Sequence, residues 1–472
     1  MARKPSRGLA AVVMAAGKGK RLKSRLPKVL HPVCGRPTLW HVLRAVTAVR
    51  PERVILVVAH ESDQVHEAVR AWGLELPVRF VDQGDPLGTG HAVMVAESAV
   101  GRIEDVLVVS ADEPLVTGEQ LRDLVAIHRR NKASATVQTT LAPGVRGLGH
   151  VVRDGDAFEK IAEAPRATEH AAAIPEVATG MYVFRRDDLF KALPLLSRDN
   201  RQHEYYLVDA LGILREKGER IVVQQVDNGG SVGTNSRAEL AAAAAVMRRR
   251  VNEELMDRGV TLVDPDRTYV DASVTVGPDT VIHPLTFLEG DTTIGRDCVI
   301  GPSTRIVDST IGDAVEIQFS VVRESTIGSR VTVGPYAHLR PGTEMGEGAK
   351  AGTFVEIKKS TVGRGSKVPH LAYVGDAEIG KDANIGAGTI TCNYDGFEKH
   401  RTVIGDGAFI GSDTMLVAPV KIGKEAVTGA GSAITKDVPP GALAIERSEQ
   451  KIVEGYAKRR RKRARDKRTK GH

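Results

Sequence analysis

The sequence is poor in aromatic and cysteine side chains. Phe, Tyr and Trp together make up only 4% of its 472 residues, whereas glycine alone occurs 48 times. So few large rings indicate a core of Val, Ile, Leu and Ala, with many tight turns at glycine. Cys34, Cys298 and Cys392 lie far apart and form no CxxC pair, which argues against a disulfide framework and a zinc site. We therefore expect a reducing, cytoplasmic location.

Long hydrophobic runs are also missing. No apolar run approaches the roughly 20 residues of a membrane span. The N-terminal segment MARKPSRGLAAVVMAAGKGK has a short apolar stretch that breaks into glycine and lysine, which predicts a first strand and not a signal peptide. Hydrophobic residues at 42% and charged residues at 26% exclude wholesale disorder, and the length suits two or three domains.

Positive charge is concentrated at the C-terminus. The formal net charge is +7, but residues 458–470 (KRRRKRARDKRTK) carry ten Lys or Arg and one Asp, which leaves about −2 for the rest of the chain. We assign residues 456–472 to a basic, disordered tail. Two interpretations stay open for this tail: weak contact with a polyanion such as nucleic acid or an anionic membrane, or a merely solvated end, which composition favours.

Residues 1–235 alternate between apolar strands and amphipathic helices. LAAVVMAAG and DVLVVSAD have the continuous apolar character of buried strands, and TLWHVLRAVTAV has helical apolar spacing. This alternation predicts an α/β domain with a Rossmann-like, mostly parallel sheet covered on both faces. Residues 236–262 predict a connecting helix, since SRAELAAAAAVMRRRVNEELMDRG is rich in strong helix formers and Gly259 can end it.

Residues 263–455 repeat with a period of six. Aliphatic residues recur at Ile404, Ile410, Leu416 and Ile422, and many such positions are followed by glycine. This hexapeptide pattern predicts a left-handed parallel β-helix of about ten coils. The period breaks at Thr391–Thr402 (TCNYDGFEKHRT), which we interpret as a loop extruded from one coil.

A glycine-rich turn, AAGKGKR, follows the first predicted strand. Such a turn lets backbone N–H groups approach phosphates, and Arg21 and Lys28 would add positive charge where a triphosphate loses pyrophosphate. It is not a Walker loop, because it lacks the GK[ST] ending. Taken alone, the turn is weak evidence for phosphate binding, because glycine turns are common and more often have an ordinary structural role.

Six motifs and the repeats together carry a specific resemblance. AAGKGKR, LPKVLH, DQGDPLGTGHA, VSADEPL, EYYLVDAL and VGTNSR occur in the order found in sugar nucleotidyltransferases. With the hexapeptide repeats, residues 9–455 closely resemble the bacterial bifunctional N-acetylglucosamine-1-phosphate uridylyltransferase/glucosamine-1-phosphate N-acetyltransferase (GlmU) family. The resemblance implies acetyl transfer from acetyl-CoA to glucosamine-1-phosphate, then uridylyl transfer from UTP with release of pyrophosphate. It further implies Mg²⁺ as cofactor and a homotrimer.

The resemblance also implies roles for residues of the N-terminal domain. Asp112 and Asn235 would hold Mg²⁺, because oxygen ligands at the carboxyl end of a strand suit this ion. Gln83 would recognise uracil. The full set implied for UTP and the UDP-sugar is Met14, Ala15, Ala16, Gly17, Arg21, Lys28, Gln83, Gly88, Thr89, Gly149, Glu163 and Asn235.

Four positions in this half depart from the family pattern: Lys20, Ala111, His150 and Ala178. Ala111 adds a methyl group where the family has glycine. Ala178 replaces an asparagine whose amide could bind the sugar, at a cost of about 1 kcal/mol. These departures leave open an alternative, a monofunctional acetyltransferase whose N-terminal domain only binds sugar nucleotides.

The C-terminal motifs match the family without such departures. Acetyl transfer to an amine needs a base, because a protonated amine has no lone pair, and imidazole suits that task near neutral pH. His370 is therefore implied as the catalytic base. The residues implied for the sugar phosphate are Arg340, Lys358, Tyr373 and Asn384. Those implied for acetyl-CoA are Ala387, Asn393, Tyr394, Ser412, Ala430 and Arg447. A further alternative is a regulatory binding protein on this scaffold, against which the intact Asp112, Asn235 and His370 argue.

Overall fold

The computed structural model describes residues 8–17, 19–59, 62–142, 149–155, 157–162, 174–200, 202–227 and 233–469. The chain divides into two compact units. One comprises Met1–Glu254 with Tyr269–Ser273, and the other comprises Leu255–Thr268 with Val274–His472.

The first unit is built on a mixed sheet of nine strands, and two further short strands pair only with each other. Its strands are Leu9–Met14 (β1), Pro32–Val33 (β2), Arg36–Pro37 (β3), Arg53–Val58 (β4), Val78–Asp82 (β5), Asp105–Ser110 (β6), Ala135–Leu141 (β7), His150–Asp154 (β8), Ala157–Ala162 (β9), Glu176–Arg185 (β10) and Ile221–Val226 (β11). β2 and β3 form the separate pair, and the main sheet has the order β11-β7-β10-β6-β1-β4-β5. β10 is antiparallel to both its neighbours, and the other pairs along this order are parallel. The predicted mostly parallel sheet is confirmed.

Helices cover both faces of this sheet. They are Thr38–Thr47 (α1), Asp63–Ala71 (α2), Thr89–Val95 (α3), Glu97–Val100 (α4), Gly118–Asn131 (α5), Arg186–Ala192 (α6) and Asp209–Glu216 (α7). The chain then continues into the long helix Arg237–Asp257 (α8). Single 3₁₀ turns lie at Lys20–Leu22, Lys28–Leu30, Leu193–Leu195 and Pro265–Arg267. Val12 and Val13 belong to two different apolar clusters, one on each face of the sheet. Both faces of the sheet are therefore buried against apolar side chains, which explains why the strands are apolar throughout.

The second unit is a parallel β-helix with three faces. The first face contains Thr261–Leu262, Val281–Ile282, Val299–Ile300, Glu316–Ile317, Thr332–Val333, Lys350–Thr353, Lys367–His370, Asn384–Ile385, Phe409–Ile410, Val427–Thr428 and Leu443–Ala444. The second contains Thr268–Val270, Thr286–Glu289, Arg305–Val307, Val321–Arg323, His338–Leu339, Glu356–Lys358, Tyr373–Gly375, Ile390–Cys392, Met415–Val417 and Ala433–Ile434. The third contains Thr275–Val276, Thr293–Ile294, Thr310–Ile311, Thr326–Ile327, Glu344–Met345, Thr361–Val362, Ala377–Ile379, Thr402–Ile404 and Val420–Ile422.

The six-residue period predicts the interior of this β-helix correctly. Ile404, Ile410, Leu416 and Ile422 are each at most 1% exposed and point inward from successive strands. Each face stacks its strands in parallel register, as between Asn384–Ile385 and Phe409–Ile410. The predicted parallel β-helix is confirmed.

The segment predicted as a connecting helix and the segment predicted as a disordered tail are both helical in the structure. α8 ends two residues before Gly259, whose φ of 89° lies in the left-handed region that favours glycine. The C-terminal segment differs from the disordered tail that its charge predicts, because Tyr456–Thr469 forms a helix (α9). Ala, Lys and Arg are all strong helix formers, and here that propensity outweighs repulsion between the basic side chains. Across the described segments, every helix is too short or too polar to cross a bilayer.

Candidate active sites

The glycine-rich turn and Asp112 meet at one edge of the sheet. β1 and β6 are parallel neighbours, and Met14 is in register with Ser110 at their carboxyl ends. The chain stays tied to the sheet just beyond these ends, because the Ala15 N–H donates to Val57 O at 2.8 Å and the Ala111 N–H to Met14 O at 3.1 Å. Two motifs almost 100 residues apart in sequence therefore lie side by side, where open α/β sheets bind ligands.

A cavity of about 620 Å³ opens at this edge. Most residues that the resemblance implies for the nucleotide line it: Met14, Ala16, Gly17, Arg21, Lys28, Gln83, Gly88, Thr89, Asp112 and Asn235. Ala15 lies behind this wall and is 7% exposed. Gly149 lines a smaller cavity of about 180 Å³, which shares Asp112 and Asn235 with the larger one. Glu163 and Lys18 lie outside the described residues.

The LGTG turn is held by a close backbone approach. Gly88 has a φ of 109°, and a Cβ on it would lie 2.5 Å from Tyr205 O, so only glycine fits here. The Gln83 side-chain N–H donates to Gly88 O at 3.0 Å, and Thr89 Oγ1 accepts from the Leu207 N–H at 3.0 Å. Gln83 is thus oriented by the turn beside it.

One ammonium group contacts both predicted metal ligands. Lys28 Nζ donates to Asp112 Oδ2 and, at 2.5 Å, to Asn235 Oδ1. Burial acts to raise the pKa of Asp112, but the Lys28 charge and hydrogen bonds from Lys28 and Ser110 outweigh it and hold that pKa below its usual value. Asp112 is therefore ionised near neutral pH and presents a carboxylate to a cation.

Asn235 is fixed at the start of α8 by reciprocal caps. The Glu239 carboxylate accepts from the backbone N–H groups of Asn235 and Ser236, at 2.6 and 2.9 Å. Ser236 Oγ in turn accepts from the Glu239 N–H at 3.2 Å. The Thr234 N–H donates to Asp112 O at 2.9 Å, which joins the two ligand-bearing segments. This arrangement is a capping box, and it positions the amide oxygen of Asn235.

Two acidic residues at these cavities were not predicted from the sequence. Glu113 lines the smaller cavity and Glu204 the larger one. Glu113 is 7% exposed, and its burial together with the neighbouring Asp112 charge raises the pKa of Glu113 well above its usual value. Glu113 directly follows Asp112 in the VSADEPL motif, and this position could have identified it from the sequence. Glu204 opens the EYYLVDAL motif and could have been found there.

The structure also locates two departures from the family pattern. Ala111 is completely buried and packs in the apolar cluster on one face of the sheet, so its methyl group points away from the cavities. Ala178 lines the smaller cavity, next to Gly149 in the sheet, since its N–H donates to Gly149 O at 2.9 Å. The obstruction expected from Ala111 therefore does not arise, whereas the change at Ala178 alters the cavity wall.

In the second unit, Arg340, Lys358 and Tyr373 lie on the second face of the β-helix. Lys358 is in register with Gly375, and Glu356 is in register with Tyr373. Arg340 follows the preceding strand of this face, and its N–H donates to Ile357 O at 2.8 Å. Arg340 and Lys358 therefore lie on consecutive coils, whose backbones are about 4.8 Å apart along the axis.

His370 and three residues implied for acetyl-CoA form one column. Each successive coil hydrogen-bonds to the one before: the Gly388 N–H to His370 O at 3.4 Å, the Asp413 N–H to Ala387 O at 2.6 Å, and the Gly431 N–H to Ser412 O at 2.8 Å. Arg447 Nη1 then donates to Ala430 O at 3.2 Å. We call the set His370, Ala387, Ser412 and Ala430 the corner column. Asn384 lies on the strand that leads to it, in register with Lys367.

The predicted loop at Thr391–Thr402 is a small hairpin. Asn393 is tied to the coil below, because its Nδ2 donates to Asp376 Oδ2 at 2.5 Å, and the His400 N–H donates to Asn393 O at 2.8 Å. Tyr394 is 60% exposed. The hairpin also brings Lys399, which was not predicted, up to Lys358. Contact with the Lys358 amine and its charge lower the pKa of Lys399.

Comparisons with known proteins agree with a nucleotidyltransferase domain followed by a hexapeptide-repeat β-helix. Residues 11–211 match the MobA-like NTP transferase domain, and residues 273–308 and 401–436 match the bacterial transferase hexapeptide repeats. A solved UDP-glucose pyrophosphorylase covers 52% of this chain and 99% of its own, at 17% identity and a TM-score of 0.44, too distant a likeness to inform the site.

Curated relatives cover nearly the whole chain. Proteins named bifunctional protein GlmU are 49% identical in Heliobacterium modesticaldum, over 96% of this chain and 98% of the relative, and 45% identical in Shouchella clausii, over 96% and 99%. The relative in Carboxydothermus hydrogenoformans is 48% identical over 95% and 99%. These matches confirm the prediction of two transferases in one chain. The chain belongs to the GlmU family of bifunctional proteins.

Proposed function

We propose that this protein makes UDP-N-acetylglucosamine in two steps, acetylating glucosamine-1-phosphate in its second unit and transferring uridylyl from UTP in its first. The observation that carries the proposal is the meeting of Lys28, Asp112 and Asn235 on the wall of a cavity large enough for a nucleotide. The corner column beginning at His370 supports the acetyl transfer. Both activities fit a cytoplasmic enzyme, as do its three free cysteines.

The uridylyl step needs positioning and charge compensation more than covalent chemistry. The backbone of the turn at Ala16 and Gly17 lines the cavity and would cradle the triphosphate, with Arg21 and Lys28 beside it. The sugar phosphate oxygen then attacks the α-phosphorus in line, and pyrophosphate leaves. Gly149 and Ala178 would border the sugar in the smaller cavity.

Asp112 and Asn235 fit a divalent cation. A carboxylate oxygen and an amide oxygen already converge on one positive group, the Lys28 ammonium, and such oxygen donors suit Mg²⁺. The family implies a divalent metal, and we propose Mg²⁺ as that metal. When bound, it would add positive charge next to the phosphates of the leaving group. Two protein ligands leave room for phosphate oxygens to complete its coordination.

The acetyl step uses the corner column and the second face of the β-helix. Arg340, Lys358 and Lys399 supply cationic groups for the sugar phosphate. As the amine nitrogen attacks the thioester carbon, His370 accepts the proton that the amine loses. The carbon–sulfur bond breaks, and the thiolate of CoA leaves and is then protonated. The other residues of the corner column, on the coils that follow His370, would contact the acetyl-CoA chain.

We propose a homotrimer formed through the β-helix. Tyr336 and Phe354 stack at 5.3 Å between ring centroids, yet they are 55% and 58% exposed. An exposed row of large apolar side chains is typical of an association surface. Sedimentation of the full chain should give three times the chain mass, and Phe354→Asp should reduce that mass. A monomeric wild-type chain would contradict the proposal.

One assay tests the whole proposal. Glucosamine-1-phosphate, acetyl-CoA, UTP and Mg²⁺ should together yield UDP-N-acetylglucosamine, free CoA and pyrophosphate. If N-acetylglucosamine-1-phosphate and UTP give no pyrophosphate while acetyl transfer proceeds, the protein is a monofunctional acetyltransferase. If neither product forms, the result favours the alternative of a regulatory binding protein.

The basic helix α9 is expected to be dispensable for both reactions. Its side chains from Tyr456 to Arg465 are exposed, and the family resemblance ends before it. Truncation after Tyr456 should leave both kcat values within about twofold of the full chain, well below a tenfold change of about 1.4 kcal/mol. A collapse of acetyl transfer would show that α9 belongs to a site. Retention of the full chain on heparin, weakening steeply with salt and lost on truncation, would reveal polyanion contact.

A further inference from the structure

Lys28 lies where a cation is expected. Its ammonium group donates to Asp112 and Asn235, the two residues that would hold the divalent metal. We propose that Lys28 occupies the metal position in the substrate-free enzyme, so that the metal enters only with a nucleotide whose phosphates draw Lys28 away. This inference rests on the proposed uridylyl transfer at this site.

The Lys28 side chain is placed so that it could make this exchange. A Cβ on Gly19 would lie 2.7 Å from Lys28 Cβ, and a Cβ on Gly17 would lie 3.9 Å from Lys28 Cδ. Its aliphatic stem therefore runs along the glycine-rich turn that would receive the triphosphate. Rotation about bonds of this flexible stem can carry the ammonium from Asp112 toward that turn while the backbone stays in place.

Charge balance makes the exchange depend on the nucleotide. The Lys28 side chain is only 10% exposed and that of Asp112 16%. A divalent ion arriving alone would displace the ammonium from its carboxylate and leave it unpaired in a poorly hydrated place, which is costly. Phosphate oxygens would give the displaced ammonium a new partner and supply the metal with ligands. Metal and nucleotide should therefore bind with strong mutual coupling.

Mn²⁺ is a suitable probe, since it takes the same oxygen ligands and its free form is measured by electron paramagnetic resonance. The full-length protein is titrated with Mn²⁺, with and without UTP and without sugar phosphate, so that no turnover occurs. Wild type should bind Mn²⁺ at this site at least tenfold more tightly with UTP than without it. Lys28→Met and Lys28→Gln should each bind Mn²⁺ without UTP at least tenfold more tightly than wild type does.

Lys20→Met is the matched control. Lys20 lines the same cavity, so this variant removes the same charge without touching Asp112. Its Mn²⁺ affinity without UTP should stay within twofold of wild type, and adding Asp112→Asn to Lys28→Met should abolish the new site. Circular dichroism and the thermal unfolding midpoint of every variant report whether the first unit is folded.

Three outcomes would overturn the inference but not the proposed function. In the first, folded Lys28 variants gain no UTP-independent Mn²⁺ site. In the second, Lys20→Met gains as much as Lys28→Met, so that general charge and not the Lys28 contact is responsible. In the third, wild type binds Mn²⁺ equally well with and without UTP, which leaves the proposed function standing. Failure of wild type to bind Mn²⁺ even with UTP would instead remove the proposed metal site, and the inference with it.

Discussion

His370→Ala should lower acetyl transfer by about 10²–10⁴, the usual span for loss of a general acid or base. The amine of glucosamine-1-phosphate is largely protonated near neutral pH and must lose a proton around the moment of attack. His370 is exposed at the end of its strand and heads the corner column, next to the strand that carries Tyr373. Its loss removes an interaction confined to the transition state, so acetyl-CoA binding should hardly change.

His283→Ala is the matched control for this prediction. It removes an imidazole from the same β-helix, five strands away on the first face and about 24 Å along the axis. Acetyl transfer by this variant should stay near the wild-type rate, and uridylyl transfer should be unaffected in both variants. A His370→Ala enzyme with more than about a tenth of wild-type activity would exclude the general-base role.

Periodic features of the sequence predicted the fold well. The six-residue spacing of Ile404, Ile410 and Leu416 has one structural solution, and the strands β1 and β6 are too apolar to lie on a solvated sheet. The structure of the basic segment at the C-terminus was harder to predict, because its charge favours disorder whereas its helix propensity favours a helix. Composition alone could not decide between them.

The sites were only partly predictable, because their residues meet through the fold. The corner column joins residues separated by 17, 25 and 18 positions, and the hairpin at Thr391–Thr402 lengthens one of its coils. No fixed sequence period therefore shows the column. Lys28 and Asp112 touch across 84 residues of sequence, and Lys399 reaches Lys358 only because the hairpin folds back.

Asp112→Asn should abolish metal-dependent pyrophosphate release, with a loss of at least 10³-fold in kcat, while acetyl transfer continues. The substitution keeps the shape of the side chain but removes the charge that Lys28 and the proposed Mg²⁺ both need. Positioning and electrostatic groups of this kind commonly contribute several kcal/mol to a transition state. Since Asp112 belongs to the first unit and His370 to the second, the acetyl activity serves as an internal control in the same chain.

Asp123→Asn controls for the loss of a carboxylate as such. Asp123 is exposed on α5, and its removal should leave pyrophosphate release within about twofold of wild type. Raising the concentration of Mg²⁺ should not rescue Asp112→Asn, because an amide oxygen without negative charge is a weak ligand for a hard divalent ion. If both activities of Asp112→Asn fell together in a folded protein, the two catalytic sites could not be independent. If pyrophosphate release survived instead, the metal would have to be held by other groups, and the buried Glu113 would be the first to test.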